Sequence, residues 1–146
     1  LYEGGIRIPL IARWPGKIPA GRIDKTSVIG AVDWLPTVCS VTGIKVPDIK
    51  PDGNDFSEIL KGKPKLRTTP LFWEWRGGVV GNQAYRPPRL AIRDGKWKLF
   101  AQSDGTSVEL YDIPNDPAEK KNLAEQKPKV VKRLLPKLLA WRKSLP

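Results

Sequence analysis

The chain has 146 residues, with 26 Lys and Arg against 15 Asp and Glu for a formal charge of +11, one cysteine, no histidine and no methionine. A lone cysteine excludes an internal disulfide framework, and the absence of histidine removes the imidazole base and the usual zinc ligand set. No run of 18 apolar residues spans a membrane, a chain without a single Met reads as a piece of a longer polypeptide, and the charge favours anionic partners: nucleic acid, an acidic membrane surface or a sulfated polysaccharide.

Leu1 to Pro15 opens with Gly4-Gly5, a backbone pair that lets another segment approach closely. Ile6 to Trp14 then alternates as a strand, with Ile6, Ile8, Leu10 and Ala12 on one side, and Pro9 confines it to an edge, a bulge or a strand start. Pro15 to Asp24 carries turn residues. Trp34 to Thr42 is a helix, with Asp33 as N-cap, Pro36 in the first turn and Gly43 just past the end. Leu35, Val38, Cys39 and Val41 are its packing face, and Cys39 is a buried structural thiol.

Val46 to Asp55 is a Pro, Asp and Gly-rich loop that leads into a short helix ending at Leu60. Asp52 and Asp55 have turn and cap roles there, since a calcium loop needs more oxygen ligands at short alternating spacing. Lys61 to Thr69 is basic and lacks apolar periodicity, so a boundary near Lys65 divides the chain into residues 1–65 and 66–146.

Leu71 to Trp75 has strand composition, and Gly77 to Asn82 is a Gly-rich loop without the spacing of a phosphate cradle. Arg89 to Arg93, Lys96 to Gln102 and Val108 to Ile113 are three more strands, the first two joined by an Asp94-Gly95 hairpin turn. Together they predict a four-stranded antiparallel sheet. Trp97 and Leu99 lie on one face, opposite Lys96, Lys98 and Phe100, and an apolar face needs a cover. Pro128 starts that cover, a helix with Val130, Val131, Leu134, Leu135, Leu138 and Leu139 on one stripe, which Pro136 is expected to kink or break near Arg133.

Tyr2-Glu3-Gly4-Gly5-Ile6-Arg7-Ile8-Pro9-Leu10-Ile11, followed by Trp14-Pro15-Gly16-Lys17-Ile18, resembles the segment of type I sulfatases just after an active-site lysine. Val32-Asp33-Trp34-Leu35-Pro36-Thr37, Asp52-Gly53-Asn54-Asp55-Phe56, Arg93-Asp94-Gly95-Lys96-Trp97-Lys98-Leu99, and Leu110-Tyr111-Asp112 with Asn115-Asp116-Pro117 resemble the same family in the same order. The resemblance covers the whole chain but only the C-terminal part of a sulfatase. It implies the end of an alkaline-phosphatase-like α/β domain, then an α+β subdomain of antiparallel sheet plus C-terminal helix. The last strand would pass through an Asp-Pro turn into a short helix ending at Asn122-Leu123.

The resemblance also implies what the parent does: sulfate-ester hydrolysis on a sulfated carbohydrate or aryl ester, by a formylglycine assisted by a calcium ion, in a periplasmic or secreted enzyme. Neither the Cys/Ser-x-Pro/Ala-x-Arg motif nor a cluster of calcium carboxylates occurs here. The family's lysine would fall just before Leu1, and its histidines have no counterpart. The 146-residue chain is therefore expected to be inactive by itself, to bind no metal or cofactor, and to need the N-terminal part of the same sulfatase.

Its expected contribution is the wall of the substrate pocket. Trp73, Glu74, Trp75, Arg76, Asn82, Tyr85 and Arg86 combine aromatic faces that stack on sugar rings with guanidinium donors for a sulfate or carboxylate. Trp75 and Arg76 lead this set, against core packing for Trp73 or Trp75 and solvation for the arginines. Two other classes stay open on the residues. One is a basic nucleic-acid-binding module with Trp97, Phe100 and Tyr111 as a stacking platform, although no RNP signature is present. The other is a non-catalytic interaction module.

Overall fold

The computed structural model of the chain describes residues 1–49, 51–77 and 88–146. Two compact units divide between Thr68 and Thr69: Pro9–Thr68, and Thr69–Pro146 together with Leu1–Ile8.

The second unit holds an antiparallel meander of β1 (Leu71–Glu74), β2 (Leu90–Asp94), β3 (Trp97–Ala101) and β4 (Glu109–Asp112), in that spatial order. The hairpin between β2 and β3 turns on Gly95 and Lys96, one residue later than expected, because Asp94 is still paired with Trp97 and Gly95 takes the positive φ of 60°. Register places Ile92 beside Leu99 and Leu99 beside Leu110. These residues, with Leu90 and Ala101, form one fully buried face.

That face is covered by α4 (Pro128–Ser144), through the fully buried Leu134 and Leu138 and a stack of Trp141 on Phe72 with centroids 5.0 Å apart. Each such Leu or Ile contributes about 1.5–3 kcal/mol. The helix runs unbroken through Pro136. The expected break does not occur, because Pro136 lies on the exposed side, where the carbonyl it frees is open to solvent, while Leu134 and Leu138 anchor the turns on either side.

The opposite face is covered too, which alternation alone does not predict. Trp73, Ala91, Lys98, Phe100 and Tyr111 belong to it, and Leu1 and Tyr2 pack against Phe100, Tyr111 and Ile113. Residues Glu3–Ile6 form one helical turn, α1. The expected strand over Ile6 to Trp14 is absent among the described residues: its first residue closes α1, and residues 7–14 are neither helical nor paired. The short helix expected before Asn122-Leu123 is replaced by turns. Glu119 adopts a φ of 52°, which no helix accommodates. Asn122 instead fastens this stretch to β4, accepting from the Leu110 N–H at 3.0 Å.

In the Pro9–Thr68 unit, a 3-10 turn (Ala31–Asp33) leads into α2 (Trp34–Thr42), which packs on α3 (Ser57–Leu60). Gly43 ends α2 in the left-handed conformation with φ 76°. Asp33 does not cap α2 as expected. Its fully buried carboxylate accepts from the backbone N–H groups of Gly30 (2.7 Å) and Asn54 (2.9 Å) and pairs with Arg67 at 2.6 Å. Three partners thus converge on the charge that would otherwise cap the helix. The expected packing face of α2 is also turned: Leu35 and Val38 are exposed, whereas Pro36, Thr37 and Cys39 are buried.

Candidate functional site

The expected site residues fall at the C-terminal end of β1. Alternation along this strand sends Phe72 and Glu74 toward α4 and Trp73 toward the opposite face, so neighbours in sequence serve different surfaces. Trp73 packs half-buried against Phe100 and Tyr111, the core role, with the Lys98 ammonium 5.9 Å from its ring centroid.

Glu74 is enclosed by two guanidinium groups, Arg76 Nε at 2.7 Å and Arg142 Nε at 2.6 Å. The bond from Arg76 holds its carboxyl below the usual carboxylate range, with Arg142 reinforcing the shift. Glu74 is therefore a fixed anion that orients Arg76, which also donates to the Pro146 backbone oxygen at 3.3 Å.

Trp75 is half exposed, and its backbone N–H extends the sheet by donating to Arg89 O at 2.8 Å. Its indole folds over Gly77, where a Cβ would stand 2.7 Å from the ring. An open aromatic face and a tethered guanidinium thus emerge from one strand end. Both residues follow the last residue of β1, and Arg76 is held on the Glu74 side by its ion pair. Asn82, Tyr85 and Arg86 lie outside the described residues.

The stacking platform of the nucleic-acid reading does not form. Phe100 and Tyr111 are buried on one face and Trp97 packs on the other. The residues present also fit neither a resident metal nor a formylglycine: among the described residues no three His, Cys, Asp or Glu are grouped to hold an ion, and Cys39 is buried in α2. Asp52 and Asp55 join no such group, and Asp55 accepts from the Ser57 N–H at 2.7 Å in a local turn.

Sequence reasoning missed a buried charge cluster on the second sheet face. Lys98 is fully buried, with its ammonium 2.8 Å from Glu3 Oε1 and 3.0 Å from Glu119 Oε1. Arg93 approaches Glu3 at 3.5 Å, and Glu119 Oε2 also accepts from the Glu3 backbone N–H at 2.5 Å. Beside it, Glu109 Oε2 accepts from both Tyr2 (2.8 Å) and Tyr111 (2.9 Å), and burial followed by these bonds pushes both phenols far above their ordinary value. The alternation of β3 assigns Lys98 to this face, but no local signal identifies its carboxylate partners.

Comparison with known proteins gives one consistent result. The family model described as N-sulphoglucosamine sulphohydrolase, C-terminal, matches residues 1–144. A sulfatase of Formosa agariphila is 31% identical over 152 residues, covering 96% of this chain and 28% of that protein. An N-acetylgalactosamine-6-O-sulfatase of Bacteroides thetaiotaomicron is 30% identical over 148 residues, covering 91% of this chain and 27% of that protein. A solved structure from Bacteroides thetaiotaomicron, described in terms of that organism's metabolism of multiple glycosaminoglycans, superposes with a TM-score of 0.72 at 28% identity, over 98% of this chain and 30% of its own. The chain thus spans little more than a quarter of the length of these relatives.

Proposed function

The chain belongs to the sulfatases, in the family whose model is described as N-sulphoglucosamine sulphohydrolase, C-terminal, and from that premise we propose that it is the non-nucleophilic end of an enzyme hydrolysing sulfate esters of a sulfated carbohydrate or an aryl alcohol. The match over residues 1–144 carries this reading. A carbohydrate is favoured over an aryl ester by the substrate named for the Bacteroides sulfatase. Formylglycine and calcium are supplied by the N-terminal part of the same protein.

In this reading Pro9–Thr68 is the tail of the large α/β domain and Thr69–Pro146 the C-terminal subdomain. Trp75 offers its open ring to a sugar face, and Arg76, oriented by Glu74, donates to a sulfate or carboxylate. Glu74 positions Arg76 without touching substrate. Trp73 serves the core, and Tyr85 and Arg86 are assigned to the wall by the chemistry of their side chains alone.

The test is sulfate release from a sulfated disaccharide by the complete protein and by the 146-residue chain in parallel. Turnover by the complete protein alone supports the proposal. Turnover by the isolated chain, or none by the complete protein on carbohydrate or aryl sulfates, overturns it.

A further inference from the structure

Helix α4 carries six Lys or Arg and no Asp or Glu over Pro128–Ser144. Two rules of local helix energetics run against that composition. The N-terminal end of a helix bears partial positive charge, yet the first turn of α4 holds Lys129 and no acid. Like charges four residues apart repel along a helix face, yet Lys129, Arg133 and Lys137 repeat at that spacing. Nor does packing call for the cations, because the inner stripe of Leu134, Leu138 and Trp141 is already seated on the sheet.

The outward ridge consists of Lys129, Lys132, Arg133, Lys137 and Lys143, all exposed, with Pro136 and Ala140 between them. Asp94 meets two of these, Arg133 at 2.5 Å and Lys137 at 3.5 Å. Lys129, Lys132 and Lys143 have no ion-pair or hydrogen-bond partner among the described residues. One carboxylate thus answers five cations along about 21 Å of helix, at the usual rise per residue. The ridge ends beside the candidate site. Lys143 follows Arg142, whose Nε reaches Glu74 Oε1 at 2.6 Å, and the other Glu74 oxygen holds Arg76 at 2.7 Å.

We propose that the outer ridge of α4 is a docking surface for a sulfated polysaccharide, a chain that lies along Lys129 to Lys143 while one of its units reaches Trp75 and Arg76. Charge complementarity calls for a polyanion, and its length calls for a polymer. That the polyanion is a sulfated polysaccharide rests on the carbohydrate-sulfatase reading above. An anionic membrane fits less well, because the apolar stripe of α4 is buried against the sheet and cannot enter a bilayer interface. Nucleic acid fits less well too, because the ridge presents no aromatic side chain on which bases could stack.

The experiment is calorimetric titration of the complete protein with a heparin decasaccharide and with the corresponding disaccharide. The decasaccharide binds at least about 10-fold more tightly, and Lys129→Ala, Lys132→Ala and Lys143→Ala combined abolish that advantage, since three exposed ion pairs are together worth about that factor. Alanine at exposed helix positions preserves α4. Lys45→Ala, Lys61→Ala and Lys63→Ala combined remove the same charge from exposed positions outside α4, and shift the affinity by no more than about 2-fold once salt screens distant charges. Decasaccharide binding that is insensitive to the α4 variant, or weakened equally by both variants, overturns the proposal. So does equally tight binding of a single-stranded decanucleotide or of phosphatidylserine vesicles through the same three lysines. Binding is read whether or not the protein releases sulfate, so failure of the ridge and failure of the sulfatase reading are told apart.

Discussion

Glu3 Oε1 accepts from Lys98 Nζ at 2.8 Å across 95 residues of sequence, and both side chains are all but sealed from solvent. The pair draws the opening turn of the chain onto a sheet built from residues 71–112. A buried charge with one partner removed costs about 3–5 kcal/mol. Glu3→Ala or Glu119→Ala should therefore lower the urea-unfolding free energy of the Thr69–Pro146 unit by about that amount. Lys121→Ala, at an exposed position outside the cluster, should change it by no more than about 0.5 kcal/mol. An unfolding free energy insensitive to Glu3→Ala would mean that the cluster contributes nothing to holding α1.

Pro136 gives the opposite expectation. An interior proline removes a helix hydrogen bond and crowds the preceding turn at a cost of up to about 3 kcal/mol. Its side chain is exposed, so little packing would be lost on replacement. Pro136→Ala should stabilise the protein by about 1–2 kcal/mol, seen as a rise in the denaturation midpoint, after allowing for the entropy that proline removes from the unfolded chain.

Gly53 is a position of close approach in the other unit. A Cβ there would lie 2.0 Å from Val32 O and 2.6 Å from Asp33 N, both backbone atoms of the turn before α2. Neither can swing aside as a side-chain tip would. Gly53→Ala should cost about 2 kcal/mol or more by forcing apart the loop that delivers the Asn54 N–H to Asp33. Wild-type stability on thermal or urea unfolding would show that this loop is not held as described.

At the candidate site, Trp75→Ala in the complete protein should raise KM for a sulfated carbohydrate, the substrate class proposed above, about 2–10-fold with kcat little changed, the worth of one aromatic stack. The fold should not suffer, because the ring is half exposed. Gly77→Ala should act in the same direction by displacing that ring. Arg76→Ala should also raise KM. Unchanged kinetics in all three would remove this strand end from the substrate wall.

The pH dependence follows from the carboxylates. Asp112 is held below its usual range first by its bond to Lys96, and Glu74 first by its bond to Arg76. A depressed folded pKa contributes stability that is present above the unfolded value and is lost as pH falls through the folded one. With no histidine in the chain, the denaturation midpoint should stay level between about pH 5 and 8 and drop only below about pH 4. A transition centred near pH 6.5 would contradict this assignment.

Sequence by itself determined the meander, the extent of α2 and the amphipathic α4, because each rests on local periodicity and turn chemistry that neighbours a few residues away enforce. The end of β1 was legible for the same reason. What only tertiary structure decided is which surface covers which face. Lys98 reads as a solvated lysine until Glu3 and Glu119 arrive from distant segments to neutralise it. The stripe of α2 reads as a core until Thr37, Asp33 and Ser57 claim the inner side through hydrogen bonds that no periodicity encodes. Alternation specifies that a face is apolar or charged; only the fold of the remote chain specifies its partner.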